Sequence, residues 1–168
     1  MDILVSSNLE RLLYFASGRN TAEVKRYMQD LADKGAYEVT PETRRQLSQF
    51  TAGFATQEQV TKTIQAVFDQ TQYTIDPHTA VGRFVLSEQA ISGPTLLAAT
   101  ASPYKFADTV LTALGAQAET GYQGLAQLAQ LTQTTIPTAV ETLFAQPILH
   151  RQVITPAQIE KTFRQELL

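Results

Sequence analysis

Two stretches of this chain pair a β-prone run with a cap-then-proline helix start, and together they constrain the fold more than any other feature. The first is Tyr73-Thr74-Ile75 leading into Asp76-Pro77-His78-Thr79-Ala80-Val81-Gly82. The second is the apolar run Pro94-Thr95-Leu96-Leu97-Ala98-Ala99-Thr100, bounded by Gly93 and Pro103, leading into Ala101-Ser102-Pro103-Tyr104-Lys105-Phe106. A short run that is apolar on both faces suits a strand buried on both faces of a parallel sheet. Asp76 and Ser102 are cap residues, and Pro77 and Pro103 take the first helical position, where a missing N–H costs nothing. The helix from Pro77 to about Leu86 would then join two parallel strands, near 73–75 and 95–100, in a right-handed βαβ unit. The expected class is α/β, helix-rich with a small parallel sheet.

The remainder reads as helix. Ser6, Ser7 or Asn8 caps a helix to Ser17, with Leu9, Leu12, Leu13 and Ala16 on one face and Gly18 as its stop. A second runs from Thr21, its cap, to Lys34, its stripe Val24, Tyr27, Met28 and Leu31 ended by Gly35, and the two form a helical hairpin. Thr40-Pro41 opens a short helix, and Thr56 to Gln59 is a capping box for a helix that turns Val60, Ile64, Val67 and Phe68 inward. After a helix from Pro103 to about Leu114, further helices follow at Tyr122 to Leu131, Pro137 to Phe144 and Thr155 to Leu168, with Leu125, Leu128 and Leu131 packed inward. All 168 residues read as one domain, a length at which roughly 70% of the unfolded chain's surface is buried.

Composition excludes several functions. A net charge of −3, with Lys and Arg scattered, carries no nucleic-acid footprint. No cysteine is present, so thiolate metal sites, disulfides and cysteine nucleophiles are out. With His78 and His150 as the two histidines, no histidine metal cluster is expected. No run approaches the ~18 apolar residues of a membrane span, and the start Met1 to Ser7 lacks a signal peptide's basic flank, so the expectation is a soluble cytoplasmic protein.

In a parallel α/β sheet, small ligands sit beyond the carboxyl ends of strands, against helix N-termini. Both junctions occupy that position, with His78 and Thr79 in one exposed first turn and Thr100 ending the other strand. Capping alone explains much of this pattern, since it recurs at Thr40-Pro41 and Thr155-Pro156. No Gly-x-Ser-x-Gly elbow, Walker loop or dinucleotide fingerprint occurs. The residues alone therefore support a crevice and no stated chemistry.

The segments Met1 to Leu13, Asp76 to Gly82 and Thr100 to Phe106 resemble the C-terminal portion of threonine synthase, in that order, whereas the chain from Ala107 onward matches no motif of that family. The resemblance implies a fold-type-II pyridoxal-phosphate lyase of the tryptophan-synthase-β type, converting O-phospho-L-homoserine and water to L-threonine and phosphate. It implies that Thr100 contacts the pyridine nitrogen of pyridoxal 5′-phosphate, and that Asp76, His78 and Thr79 line the same crevice. Ser6, Ser7 and Asn8 become candidates for the substrate phosphate at a helix N-terminus.

The chain departs from the family in two respects. None of its five lysines, Lys25, Lys34, Lys62, Lys105 and Lys161, stands in the family's Schiff-base context, and the glycine- and asparagine-rich phosphate cup is absent. The expectation is a C-terminal fragment of a longer enzyme, with no catalytic residue of its own, inactive without an N-terminal portion, not binding the cofactor alone, and self-associating through surface that the missing part would cover. Two alternatives remain open. One is a non-catalytic interaction module that retains the fold; the other is a dehydratase using the same cofactor.

Overall fold

The computed structural model describes residues 5–149 and 151–167, and among these every regular element is helical. Met1 to Leu4 of the first motif, His150 and Leu168 lie outside the described residues.

Three helices form a first unit: α1 (Ser7–Ala16), α2 (Thr21–Lys34) and α3 (Pro41–Gln46). Ser6 Oγ caps α1 by accepting from Leu9 N, and the chain reverses through Gly18 and Arg19, both in the left-handed region. Asn20 caps α2 in place of the expected Thr21, its Oδ1 accepting from Glu23 N at 3.2 Å. The core here is small, Leu13, Val24 and Tyr27 with Tyr14, Met28, Tyr37, Val39 and Leu47 packed on it. Each fully buried side chain of this size contributes about 1.5–3 kcal/mol.

A polar clamp locks α3 onto α2. Glu23 Oε1 accepts hydrogen bonds from the Tyr27 hydroxyl, from Thr40 Oγ1 at 2.8 Å and from Thr43 Oγ1 at 2.8 Å. The Tyr27 oxygen in turn accepts from Thr40 N at 2.9 Å. Three donors on one carboxylate oxygen favour the ionised form, so the Glu23 carboxyl lies below its ordinary value, chiefly through Tyr27. Tyr37 stacks on Tyr27 with ring centroids 5.5 Å apart.

The larger core lies between α4 (Gln57–Thr71), α5 (Pro77–Glu88), α6 (Ala107–Ala113) and α7 (Gly121–Thr132). Val60, Ile64, Ile75, Ala80, Tyr104, Val110, Leu111, Leu125 and Leu128 meet there. The capping box at Thr56 and Gln59 starts α4. The segment from Pro103 begins as a 3₁₀ turn, Pro103–Phe106, and becomes α-helical at Ala107. In α7 the inward face is Leu125, Leu128 and Thr132, while Leu131 is 42% exposed. The helix rotates this way because Thr132 finds partners inside: its Oγ1 donates to Leu128 O at 2.7 Å and meets Thr134 Oγ1, which reaches the Tyr104 hydroxyl. The chain ends in α8 (Thr138–Leu143), a 3₁₀ turn at Pro156–Gln158 and α9 (Ile159–Leu167).

Among the described residues the expected parallel sheet is absent, and with it the βαβ unit and the α/β class as stated. Residues 73–75 form no strand; Ile75 joins the core cluster with Val60, Ile64 and Ala80, and Thr74 is buried beside it. Residues 94–100 form no regular element and are exposed throughout, with Leu96 96% exposed. A strand exists only by pairing backbone N–H and C=O groups with another strand. Nothing among the described residues offers that partner to either segment. No helix among them is long and apolar enough to cross a membrane.

Candidate functional site

The N-terminal ends of α4 and α5 open onto a common cleft of about 350 Å³, closed on its third side by Phe106 and Thr109. Thr56, Gln57 and Val60 line it from α4, and Pro77, His78 and Val81 from α5. The two junctions seen in the sequence therefore meet: the imidazole of His78 packs edge-on against the ring of Phe106, with centroids 5.1 Å apart. Lys105 lies beside this pair, its Nζ 5.4 Å from the centre of the Phe106 ring.

Asp76 builds the turn that presents His78. Its side chain is 1% exposed; Oδ1 accepts from His78 N at 2.9 Å and from Thr79 N at 3.3 Å, and Oδ2 accepts from the Thr79 hydroxyl. Both carboxylate oxygens and the Thr79 hydroxyl are thus engaged by the first turn of α5 itself. Of Asp76, His78 and Thr79, His78 alone lines the cleft. Two residues upstream, the buried Thr74 Oγ1 has no hydrogen-bond partner among the described residues.

Thr100 ends the exposed segment that follows α5, two residues before Ser102, whose Oγ caps the Pro103 turn by accepting from Tyr104 N at 3.3 Å. It is exposed and stands outside the cleft lining. Ser6, Ser7 and Asn8 belong to the first helical unit, on the N-terminal turn of α1, where the Arg11 guanidinium donates to Asn8 Oδ1. They do not line the His78 cleft. Ser7 borders a separate shallow groove with Arg11, Tyr14 and Lys25.

The cleft's chemistry is restrained. Its side chains are an imidazole, two threonine hydroxyls, an amide and an apolar floor of Val60, Val81 and Phe106, with no carboxylate or ammonium among them. The two long helices direct the positive ends of their dipoles toward it. Such a lining suits a ligand that is neutral or anionic on one side and flat on the other. Sequence reasoning missed Thr56, Gln57, Phe106 and Thr109 as lining residues. The capping box at Thr56 marked a helix start and held no information about which other helix start would face it.

No protein-family model matches the chain. Over 133 residues, 68% of its length, it is 32% identical to threonine synthase from Saccharomyces cerevisiae, and over 113 residues, 66% of its length, it is 34% identical to threonine synthase from Pseudomonas aeruginosa. It covers 26% and 24% of those proteins, so the chain spans about a quarter of the length of the curated relatives it matches. Among solved structures it is similar to a PLP-bound threonine synthase from Brucella melitensis, with 37% identity and a TM-score of 0.60 across 80% of this chain and 29% of that one.

Proposed function

As a threonine-synthase-related chain matching about a quarter of its relatives, this protein has a restricted part to play, and we propose that it forms the C-terminal wall of a pyridoxal-phosphate crevice. The assembled enzyme converts O-phospho-L-homoserine and water to L-threonine and phosphate. The similarity to a PLP-bound threonine synthase over most of the chain carries this reading. The meeting of the two junctions at His78 and Phe106 supports it, because it gathers both motifs at one place.

The residues present fit one side of the cofactor. Thr100 is exposed at the end of its segment rather than sealed in apolar packing, so its hydroxyl is free to meet a pyridine nitrogen. A neutral hydroxyl there leaves the ring nitrogen largely unprotonated. Bound pyridoxal phosphate supplies the electron sink for the reaction. Asp76 and Thr79 hold the turn, and His78 faces the crevice as its titratable side chain. Ser6, Ser7 and Asn8 lie apart from the His78 cleft in this chain, so a contact of the α1 N-terminus with the substrate phosphate depends on how the remainder of the enzyme places that helix.

The covalent anchor comes from outside this chain. Lys105 lies against the Phe106 ring, which lines the cleft, and supports the helix start. The isolated chain is therefore inactive. Incubation with pyridoxal phosphate is expected to give no aldimine band beyond the absorption of the free cofactor, and no phosphate release from O-phospho-L-homoserine. A band that disappears on Lys105→Ala, or turnover by the chain alone, would overturn the reading. In the assembled enzyme, Thr100→Ala lowers kcat and leaves substrate KM nearly unchanged, because the hydroxyl acts on the ring and not on the substrate.

A further inference from the structure

On α2 a spacing of four residues puts Arg26, Asp30 and Lys34 in one row along the helix. This row lines a groove of about 760 Å³ together with Tyr37 and Glu38 of the following loop and Arg44 of α3. None of these residues lines the His78 cleft. The groove gathers three cations and two carboxylates, in a chain whose net charge is −3.

Both carboxylates already have partners. Lys34 Nζ meets Asp30 Oδ1 at 2.6 Å, and the Arg44 guanidinium meets Glu38 Oε1 at 3.3 Å. Arg26 forms no ion pair among the described residues; it lies over the Tyr27 ring, 5.4 Å from its centre. A guanidinium resting on an aromatic face keeps its N–H groups available to a ligand in its own plane. The Arg44–Glu38 pair is 68% and 85% exposed, so it is screened by water and yields to a more highly charged anion. Burial, and after it the neighbouring Tyr27, pushes the Tyr37 hydroxyl up, so Tyr37 remains a neutral donor at physiological pH.

The frame behind these groups is fixed before any ligand arrives. The Glu23 clamp ties α2 to Thr40 and Thr43, and so sets the position of α3 and Arg44 relative to Arg26. A carboxylate has two oxygens in one plane and is satisfied by one guanidinium fork. A phosphoryl group has three terminal oxygens and up to about two negative charges, and accepts forks from two directions. Two arginines on different helices match the second. The Tyr37 ring adds a flat surface for an organic group, and the volume is that of a small-molecule site.

We infer that the α2–α3 groove binds a small phosphomonoester, with Arg26 and Arg44 on the phosphoryl group and Tyr37 against the organic part. The site uses no residue of the pyridoxal-phosphate crevice, so it stands or falls independently of the reading proposed above.

The test is titration of the chain with phenyl phosphate, benzoate and inorganic phosphate at about 0.15 M salt, followed by NMR shifts of the backbone amides and the arginine side chains. Phenyl phosphate should give saturable shifts at Arg26, Tyr37 and Arg44, with benzoate and inorganic phosphate each at least about 10-fold weaker. Arg26→Gln and Arg44→Gln should each lower phenyl phosphate affinity by about 10-fold or more. Arg44→Lys keeps the charge but loses the fork, and should recover little of that loss. Lys62→Gln, which removes an exposed cation on α4, should change nothing. Arg26, Arg44 and Lys62 are all exposed, and helical circular dichroism checks that each variant folds; if Arg44→Gln loses helix, Arg44→Lys carries the comparison. Benzoate binding as tightly as phenyl phosphate overturns the phosphoryl assignment, and inorganic phosphate binding as tightly overturns the role of Tyr37. An affinity indifferent to both arginines, or binding seen only at low salt, overturns the site altogether.

Discussion

His78 and Phe106, 28 positions apart in sequence, meet ring edge to ring face at 5.1 Å with an interplanar angle of 74°. This contact joins the first turn of α5 to the 3₁₀ turn that precedes α6. An aromatic pair of this geometry contributes about 0.5–1.5 kcal/mol beyond the area it buries. Phe106→Leu keeps most of the volume and removes the pair. Its expected cost is about 1 kcal/mol, and the upfield ring-current shift of the His78 imidazole protons should vanish in the same variant.

Asp76 is buried with three donors on its carboxylate, two from the backbone of α5 and one from Thr79. Asp76→Ala should destabilise the protein by about 1–2 kcal/mol, the upper range for a lost cap. Asp76→Asn should recover part of that, since the amide oxygen still accepts from the backbone. Urea unfolding of the two variants separates the capping contribution from the charge.

Thr74 buries a hydroxyl that finds no partner among the described residues. An unsatisfied buried hydroxyl costs about 1–3 kcal/mol, and an apolar group of the same shape removes that cost. Thr74→Val should therefore raise stability by about 1 kcal/mol, read as a higher denaturation midpoint with an unchanged slope.

The Glu23 clamp makes stability pH-dependent. Hydrogen bonds from Tyr27, Thr43 and Thr40 hold the folded-state carboxyl below its ordinary value of 4.5. A folded-state value below the unfolded one means that the contribution is complete above the unfolded value and lost as pH falls through the folded one. Acid titration of stability should show this loss beginning below the ordinary carboxylate value. Glu23→Gln should flatten that limb of the curve while lowering stability at neutral pH.

Gly124 leaves no room for a side chain: a Cβ there would fall 2.3 Å from the carbonyl oxygen of Glu119. A backbone atom cannot rotate away as a side chain does. Gly124→Ala should cost about 1–3 kcal/mol through overpacking, in spite of alanine's better helix propensity. Thermal melts of the variant should show a lower midpoint.

Local chemistry made the helices legible. Asp76-Pro77, Ser102-Pro103, Thr40-Pro41 and the Thr56 box each satisfy orphan backbone donors within one turn, and a sequence states such arrangements outright. The apolar stripes of α1, α2 and α4 were equally plain, and Leu13, Val24, Tyr27, Val60 and Ile64 are buried as the 3.6-residue period requires. The resemblance to threonine synthase rested on the same kind of local pattern.

What the residues could not state was partnership. Pro94 to Thr100 carries the composition of a buried strand, yet the chain's described residues supply nothing to pair with it, so it forms no strand and stays exposed. Strand formation depends on backbone groups remote in sequence or on another polypeptide, whereas a helix closes its hydrogen bonds within its own turns. The same division applies to the cleft. Caps at Thr56 and Asp76 were written in the sequence, but only the packing of α4 against α5, with Phe106 folded over them, brought His78 to a shared cavity and turned the Asp76 carboxylate inward.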